Sequence, residues 1–138
     1  MDSRVVLLVE DDPGDAELIA EAVQDAPVST QVVHVKDREC ALRYLRSRPE
    51  KMPSLIMLAL NLPGRSGFDL LETIKADKIW KTIPVVGLAQ SDGRWDVSEG
   101  FERGIAGYVV KSKDPAKLRG EIAAIRDYWT LSRLPRVL

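Results

Sequence analysis

Val5-Val6-Leu7-Leu8-Val9-Glu10-Asp11-Asp12-Pro13 is an unbroken apolar run that stops at three successive carboxylates and a proline. Five apolar residues without alternation describe a strand buried on both faces, as in a parallel sheet covered by helices on each side. Asp12-Pro13 then supplies an N-cap followed by proline at the first helical position. Leu18, Ile19, Ala22 and Val23 recur at helical spacing, giving one apolar stripe that ends near Asp25-Ala26-Pro27.

The same alternation continues along the chain. Residues 31–35 read as a second strand, and Asp37 caps a helix bearing Ala41, Leu42 and Leu45 that Pro49 stops. Residues 55–60 form a third, fully apolar strand; Pro63-Gly64 and Gly67 make a loop before a helix carrying Phe68, Leu71 and Ile74. Residues 84–88 are the fourth strand, where Gly87 either lets a neighbour approach closely or leaves slack. Residues 92–103 make the weakest helix, since Gly93 and Gly100 each cost about 1 kcal/mol against alanine. Residues 105–110 are the fifth strand. Asp114-Pro115 repeats the cap and proline, and Leu118, Ile122, Ile125 and Trp129 mark the buried stripe of a last helix, with Tyr128 about 100° away around it.

Five strands alternating with five helices, without linker or repeat, predict one α/β domain over residues 1–138 with no effector domain. The expected architecture is a doubly wound five-stranded parallel sheet of strand order 2-1-3-4-5. Such sheets place their chemistry beyond the carboxyl ends of the strands, at the switch point between the first and third. Glu10, Asp11 and position 59 converge there.

Composition narrows the function. Of 138 residues, 45% are hydrophobic and 30% charged, with 20 basic and 21 acidic side chains and a net charge of -1. That balance gives no electrostatic case for nucleic acid or an anionic membrane as the main partner. The single cysteine, Cys40, excludes an internal disulfide and fits a reducing compartment. The opening Met1-Asp2-Ser3-Arg4 runs into the first strand without a cleavage pattern, so a cytoplasmic location is expected. Glycine-rich phosphate loops, paired cysteines and a nucleophile elbow are lacking, which argues against an enzyme. His34, the only histidine, has no second ligand at metal spacing, so a structural role is expected of it.

Three segments together carry a family resemblance: Leu7-Leu8-Val9-Glu10-Asp11-Asp12-Pro13, Leu58-Ala59-Leu60-Asn61-Leu62-Pro63-Gly64 and Tyr108-Val109-Val110-Lys111. In order and spacing they resemble the receiver domain of two-component response regulators. The Asn-Leu-Pro-Gly loop, and Tyr128-Trp129 followed by Leu134-Pro135, resemble more particularly the stand-alone receivers that partner bacterial phytochromes. The resemblance implies a flavodoxin-like fold. It also implies an aspartate ending the third strand that accepts a phosphoryl group, with Mg²⁺ offsetting the phosphate charge. Glu10 and Asp11 match the metal-side acids, Asn61 the residue whose backbone carbonyl joins them, and Lys111 the phosphate-pairing lysine. Ala89 matches the hydroxyl-bearing switch residue, and Tyr108 the switch aromatic.

Three departures fall on that site. Ala59 offers neither nucleophile nor metal ligand, Ala89 offers no hydroxyl, and Ser112 replaces the proline usual after the lysine. Because a cis bond before a non-proline residue costs about 2.5 to 4 kcal/mol, Lys111-Ser112 is expected to be trans. The chain therefore reads as a receiver that has lost its phosphoacceptor. It is expected to act in phosphorelay signal transduction through protein contacts, without phosphorylation and without a catalytic residue. No cofactor is expected to bind firmly; Mg²⁺ binding should be weak, and Lys111 should pair with Glu10 or Asp11. Trp95, Tyr108 and Tyr128 suggest one aromatic surface built from the fourth helix, fifth strand and fifth helix, with Trp129 beside it. That surface would take a sensor histidine kinase, a downstream signalling protein or a second copy of the chain. Two alternatives stay open: an ordinary phosphoregulated receiver with an Asp-to-Ala knock-out at Ala59, and a Mg²⁺-dependent phosphoryl-transfer enzyme using Glu10 and Asp11.

Overall fold

Strands that are apolar on every residue must be covered on both faces, and the chain supplies a helix after each one. The computed structural model describes residues 4–26, 29–90 and 94–133. In order these are β1 (Arg4–Val9), α1 (Pro13–Gln24), β2 (Thr30–Val35), α2 (Arg38–Arg46), β3 (Leu55–Ala59) and α3 (Ser66–Ala76). A short 3-10 turn (Trp80–Thr82), β4 (Val85–Ala89), α4 (Arg94–Glu102), β5 (Gly107–Val110) and α5 (Pro115–Leu131) complete the chain. The strands pair in parallel in the order β2-β1-β3-β4-β5, as the alternation predicts. Expectations that fall on Met1 to Ser3, Pro27, Asp92, Gly93, Leu134 and Pro135 lie outside the described residues.

Successive residues of a strand point to opposite faces, and the core divides accordingly. Leu7 and Val9 join Ile56, Leu58, Leu42 and Leu71 on one side of the sheet. Val6 and Leu8 join Met57, Ile19, Leu118 and Ile122 on the other, beneath α1 and α5. Three helices begin at aspartates: Asp12 Oδ1 accepts from the Asp15 N–H at 3.0 Å, Asp37 Oδ1 from Cys40 at 2.8 Å, and Asp114 Oδ1 from Ala116 at 3.0 Å. The 3-10 turn is not anticipated from the sequence, because three residues are too few to show a period. Asp77 builds it, its Oδ1 accepting from the N–H groups of Ile79 and Trp80 at 2.8 and 2.9 Å.

Gly87 marks a close approach rather than slack, since a Cβ there would lie 2.7 Å from Leu60 Cδ1. Gly67 is tighter still. A Cβ on it would meet the Ala59 carbonyl oxygen at 2.6 Å and Leu60 Cα at 2.9 Å, so the start of α3 sits directly on the backbone that ends β3. Among the described residues no helix is long and apolar enough to cross a membrane.

Because the obstacle at Gly67 is backbone rather than a movable side chain, Gly67→Ala should cost about 1 to 3 kcal/mol. Gly120→Ala, on the exposed face of α5 with nothing within 4 Å, should instead stabilise by up to about 1 kcal/mol. Urea unfolding of the two variants checks the contrast.

Candidate functional site

The backbone ladder runs one step beyond the strands at the carboxyl end of the sheet, which fixes the side chains there. Glu10 N–H donates to the Val35 carbonyl at 3.0 Å, and Lys111 N–H to the Ala89 carbonyl at 2.7 Å. From these anchored positions the Lys111 ammonium reaches Glu10 Oε1 at 2.8 Å and Asp15 Oδ2 at 2.9 Å. Glu10 is 1% exposed and Lys111 8%, so the pair is buried. The second Glu10 oxygen accepts from the Asp12 N–H at 3.2 Å. His34 Nε2 lies 2.8 Å from the Glu10 carbonyl oxygen, and since a carbonyl only accepts, that nitrogen carries the proton. The histidine is thus bound to backbone. Asn61 Oδ1 accepts from the Gln90 N–H at 2.9 Å, tying the β3–α3 loop to the end of β4.

Lys111 pairs with Glu10 as one of two expected partners, but its second carboxylate is Asp15 and not Asp11, which stays exposed. The reason is helical geometry. Once Asp12 caps α1, Asp15 stands one turn before Ile19, on the face that turns toward the sheet, and the chain order places it beside the end of β5. The spacing Asp15, Ile19, Ala22 is the sequence signal that identifies it. Among the described residues no peptide bond is cis, and Ser112 Oγ accepts from the Asp114 N–H at 3.1 Å, forming the turn into α5.

Burial pushes the Glu10 carboxyl above its ordinary value, and the Lys111 ammonium only partly opposes this. Burial pulls Lys111 down, but hydrogen bonds and charge from Glu10 and Asp15 more than offset it and hold the ammonium above its ordinary range. Ala59 and Ala89 are each 1% exposed, so their methyl groups pack into the sheet end without offering a nucleophile or a hydroxyl. Both Glu10 oxygens are occupied, and Ala59 supplies none. Among the described residues no three His, Cys, Asp or Glu side chains are arranged to hold a metal ion. Position 59 thus adds no side-chain oxygen for an octahedral Mg²⁺ ion, and the Glu10 oxygens already have partners.

Two of the aromatic residues singled out in the sequence, Tyr108 and Trp129, pack on opposite sides of the sheet. Tyr108 packs against the core cluster that holds Ile105, whereas Trp129 packs against the cluster beneath α1 and α5. Alternation along β5 is the cause: Val109, one residue on, faces the Trp129 side. Tyr128 is 62% exposed and meets Trp129 edge-on, with centroids 4.9 Å apart. Leu131 on α5 and Phe101 on α4, neither singled out by periodicity, are exposed as well. The Trp95 side chain lies outside the described residues.

Removing one member of a buried pair strands the other charge, so Lys111→Ala should cost about 3 to 5 kcal/mol. Glu10→Gln should cost much less, because Lys111 keeps Asp15. Glu10 holds its proton more tightly folded than unfolded, so the stability it contributes is present below its ordinary value of 4.5 and lost as pH rises through the folded value. Glu10→Gln should therefore gain on the parent chain between pH 4 and pH 7 in urea midpoint, and a constant difference would contradict the assignment.

Comparison with known proteins supplies the lineage of this arrangement. The model of the response regulator receiver domain matches residues 6–123. Response regulator Rcp1 of Synechocystis sp. is 32% identical over 130 residues, covering 91% of this chain and 88% of that protein. The crystal structure of the phosphorylated cyanobacterial phytochrome response regulator RcpA superposes with a TM-score of 0.92 at 34% identity, covering 98% of this chain and 100% of the other. The Mn(2+)-bound form of Rcp1 superposes with a TM-score of 0.88 at 31% identity, covering 96% and 99%. With the sheet order, the acidic end of β1 and the lysine after β5 all in place, the chain belongs to the response regulator receiver family of two-component signalling.

Proposed function

We propose that this receiver signals without a phosphoaspartyl intermediate, through contacts with protein partners. The observation that carries the reading is the state of Lys111, whose ammonium is already held by Glu10 and Asp15 while Ala59 provides no acceptor. A receiver switched by phosphate needs a nucleophile in line with the leaving group, and a cation free to meet the charge that arrives. Here the lysine's charge is balanced internally. Ala89 and Ser112 support natural loss over a knock-out, since a designed block needs one substitution and this site carries three departures.

A phosphoryl-transfer enzyme using Glu10 and Asp11 finds less support. Glu10 is buried and committed to Lys111, so of the two acids only Asp11 is exposed to solvent. Mg²⁺ binding is accordingly proposed to be weak. The partner-facing surface is proposed to include Phe101 on α4 together with Tyr128 and Leu131 on α5, exposed apolar groups of the kind that carry interface energy.

Incubation with acetyl phosphate and Mg²⁺ should leave the intact mass unchanged, and a gain of one phosphoryl group would refute the reading. Ala59→Asp should accept phosphate yet switch poorly, because no hydroxyl at position 89 grips the phosphoryl oxygen. A hydrogen bond to a charged group is worth about 1.5 to 3 kcal/mol. Ala59→Asp combined with Ala89→Thr should therefore switch more fully. Amide spectra of the two phosphorylated variants measure the difference, and equal shifts would remove Ala89 from the account.

A further inference from the structure

The opposite end of the sheet, away from Glu10 and Lys111, carries an open groove of about 490 Å³ between the close of α2 and the 3-10 turn. Leu45, Met52, Ile79 and Trp80 wall it, and Arg46 and Arg48 line it as well. Met52 and Trp80 rest on the core, which makes the apolar wall rigid, while Ile79 remains 44% exposed. The volume falls in the range of sites that take side chains or small ligands.

Charge distinguishes this end from the rest of the chain. Residues 43–51 and 77–81 carry exposed Arg43, Arg46, Arg48, Lys51, Lys78 and Lys81 against Glu50 and Asp77, in a protein whose net charge is -1. Asp77 spends one oxygen on the N–H groups of Ile79 and Trp80. Arg46 and Arg48 form no ion pair among the described residues.

Arg48 adds an independent observation. It follows the Ser47 cap of α2 with φ of 52°, the only described non-glycine residue with positive φ. Glycine or asparagine is the usual occupant of that left-handed position, where a larger side chain is strained. A guanidinium therefore stands at the groove in a backbone position that favours glycine or asparagine. Strain of this kind collects at functional sites.

We propose that this groove docks an acidic segment of a partner protein, with one apolar side chain seated between Ile79 and Trp80 and flanking carboxylates paired with Arg46 and Arg48. Arginine suits this role because its planar fork binds carboxylates bidentately. A concave apolar wall fits a protruding side chain better than a flat lipid surface, and one aromatic ring is too few for the stacking platforms of single-stranded nucleic acid. The proposal goes beyond the reading of Ala59 and does not depend on it.

The test is selection of a random sixteen-residue peptide display library on the full chain, followed by titration of the winning synthetic peptide. The expected sequences hold several Asp or Glu around one Leu, Phe or Trp, and their amide shifts map to residues 45–52 and 77–80. Arg46→Glu combined with Arg48→Glu should weaken binding at least tenfold, and Trp80→Ala comparably. Arg48→Gly should weaken binding at least threefold without lowering the melting temperature, which separates recognition from folding. Basic or uncharged winners, shifts mapping elsewhere, or affinity unchanged in the double arginine variant would overturn the proposal. Saturable binding of phosphatidylglycerol vesicles or of a DNA duplex at these residues, with no acidic peptide selected, would overturn it as well.

Discussion

A single ammonium group holds three elements of this receiver at their functional ends. Lys111 follows β5, Glu10 follows β1 and Asp15 lies in the first turn of α1, and the three meet within hydrogen-bond distance across the switch point of the sheet. Burying such charges costs desolvation that their attraction only partly repays, so the cluster is better understood as a positional constraint than as a source of stability. It determines where the β1–α1 and β5–α5 loops sit. In a family whose lysine pairs with a phosphoryl group, an internally satisfied lysine leaves the loops set by the protein's own carboxylates.

The constraint propagates into packing. With Ala59 and Ala89 contributing only methyl groups, the ends of β3 and β4 are finished by hydrogen bonds and van der Waals contact instead of chemistry. Asn61 accepts the Gln90 N–H, and Gly67 brings α3 onto the Ala59 carbonyl. Further along, Arg65 and Glu72 on the α3 side meet Glu99 of α4 and Arg103 just after it, so ions bridge these two elements as well. Such exposed pairs are individually weak, but as a network they share the entropy of ordering.

The two ends of the sheet thus differ in kind. At the carboxyl end the charges of Glu10, Asp15 and Lys111 are spent on one another. The amino end has Arg46 and Arg48, which form no ion pair among the described residues, beside an apolar wall. The proposed signalling through protein contacts is consistent with that division, because the exposed charge at the groove lies at the end of the sheet opposite to Glu10 and Lys111.

The sequence by itself determined the alternation of strands and helices, their capping aspartates, the order of the sheet and the absence of a nucleophile at Ala59. These are local properties: an apolar run of period one, a cap followed by proline, or a missing carboxylate needs no partner to be recognised. Glu10 and Lys111 were legible as a pair because both end strands of one parallel sheet. Asp15 was not, since its role depends on which way the first turn of α1 faces, and only its i, i+4 relation to Ile19 hints at it. Tertiary structure alone decided that Tyr108 and Trp129 lie on opposite sides of the sheet, that a three-residue turn carries Trp80, and that Arg48 adopts a left-handed backbone beside a groove. Each of these rests on contacts between segments distant in the chain, where packing, not periodicity, selects the outcome.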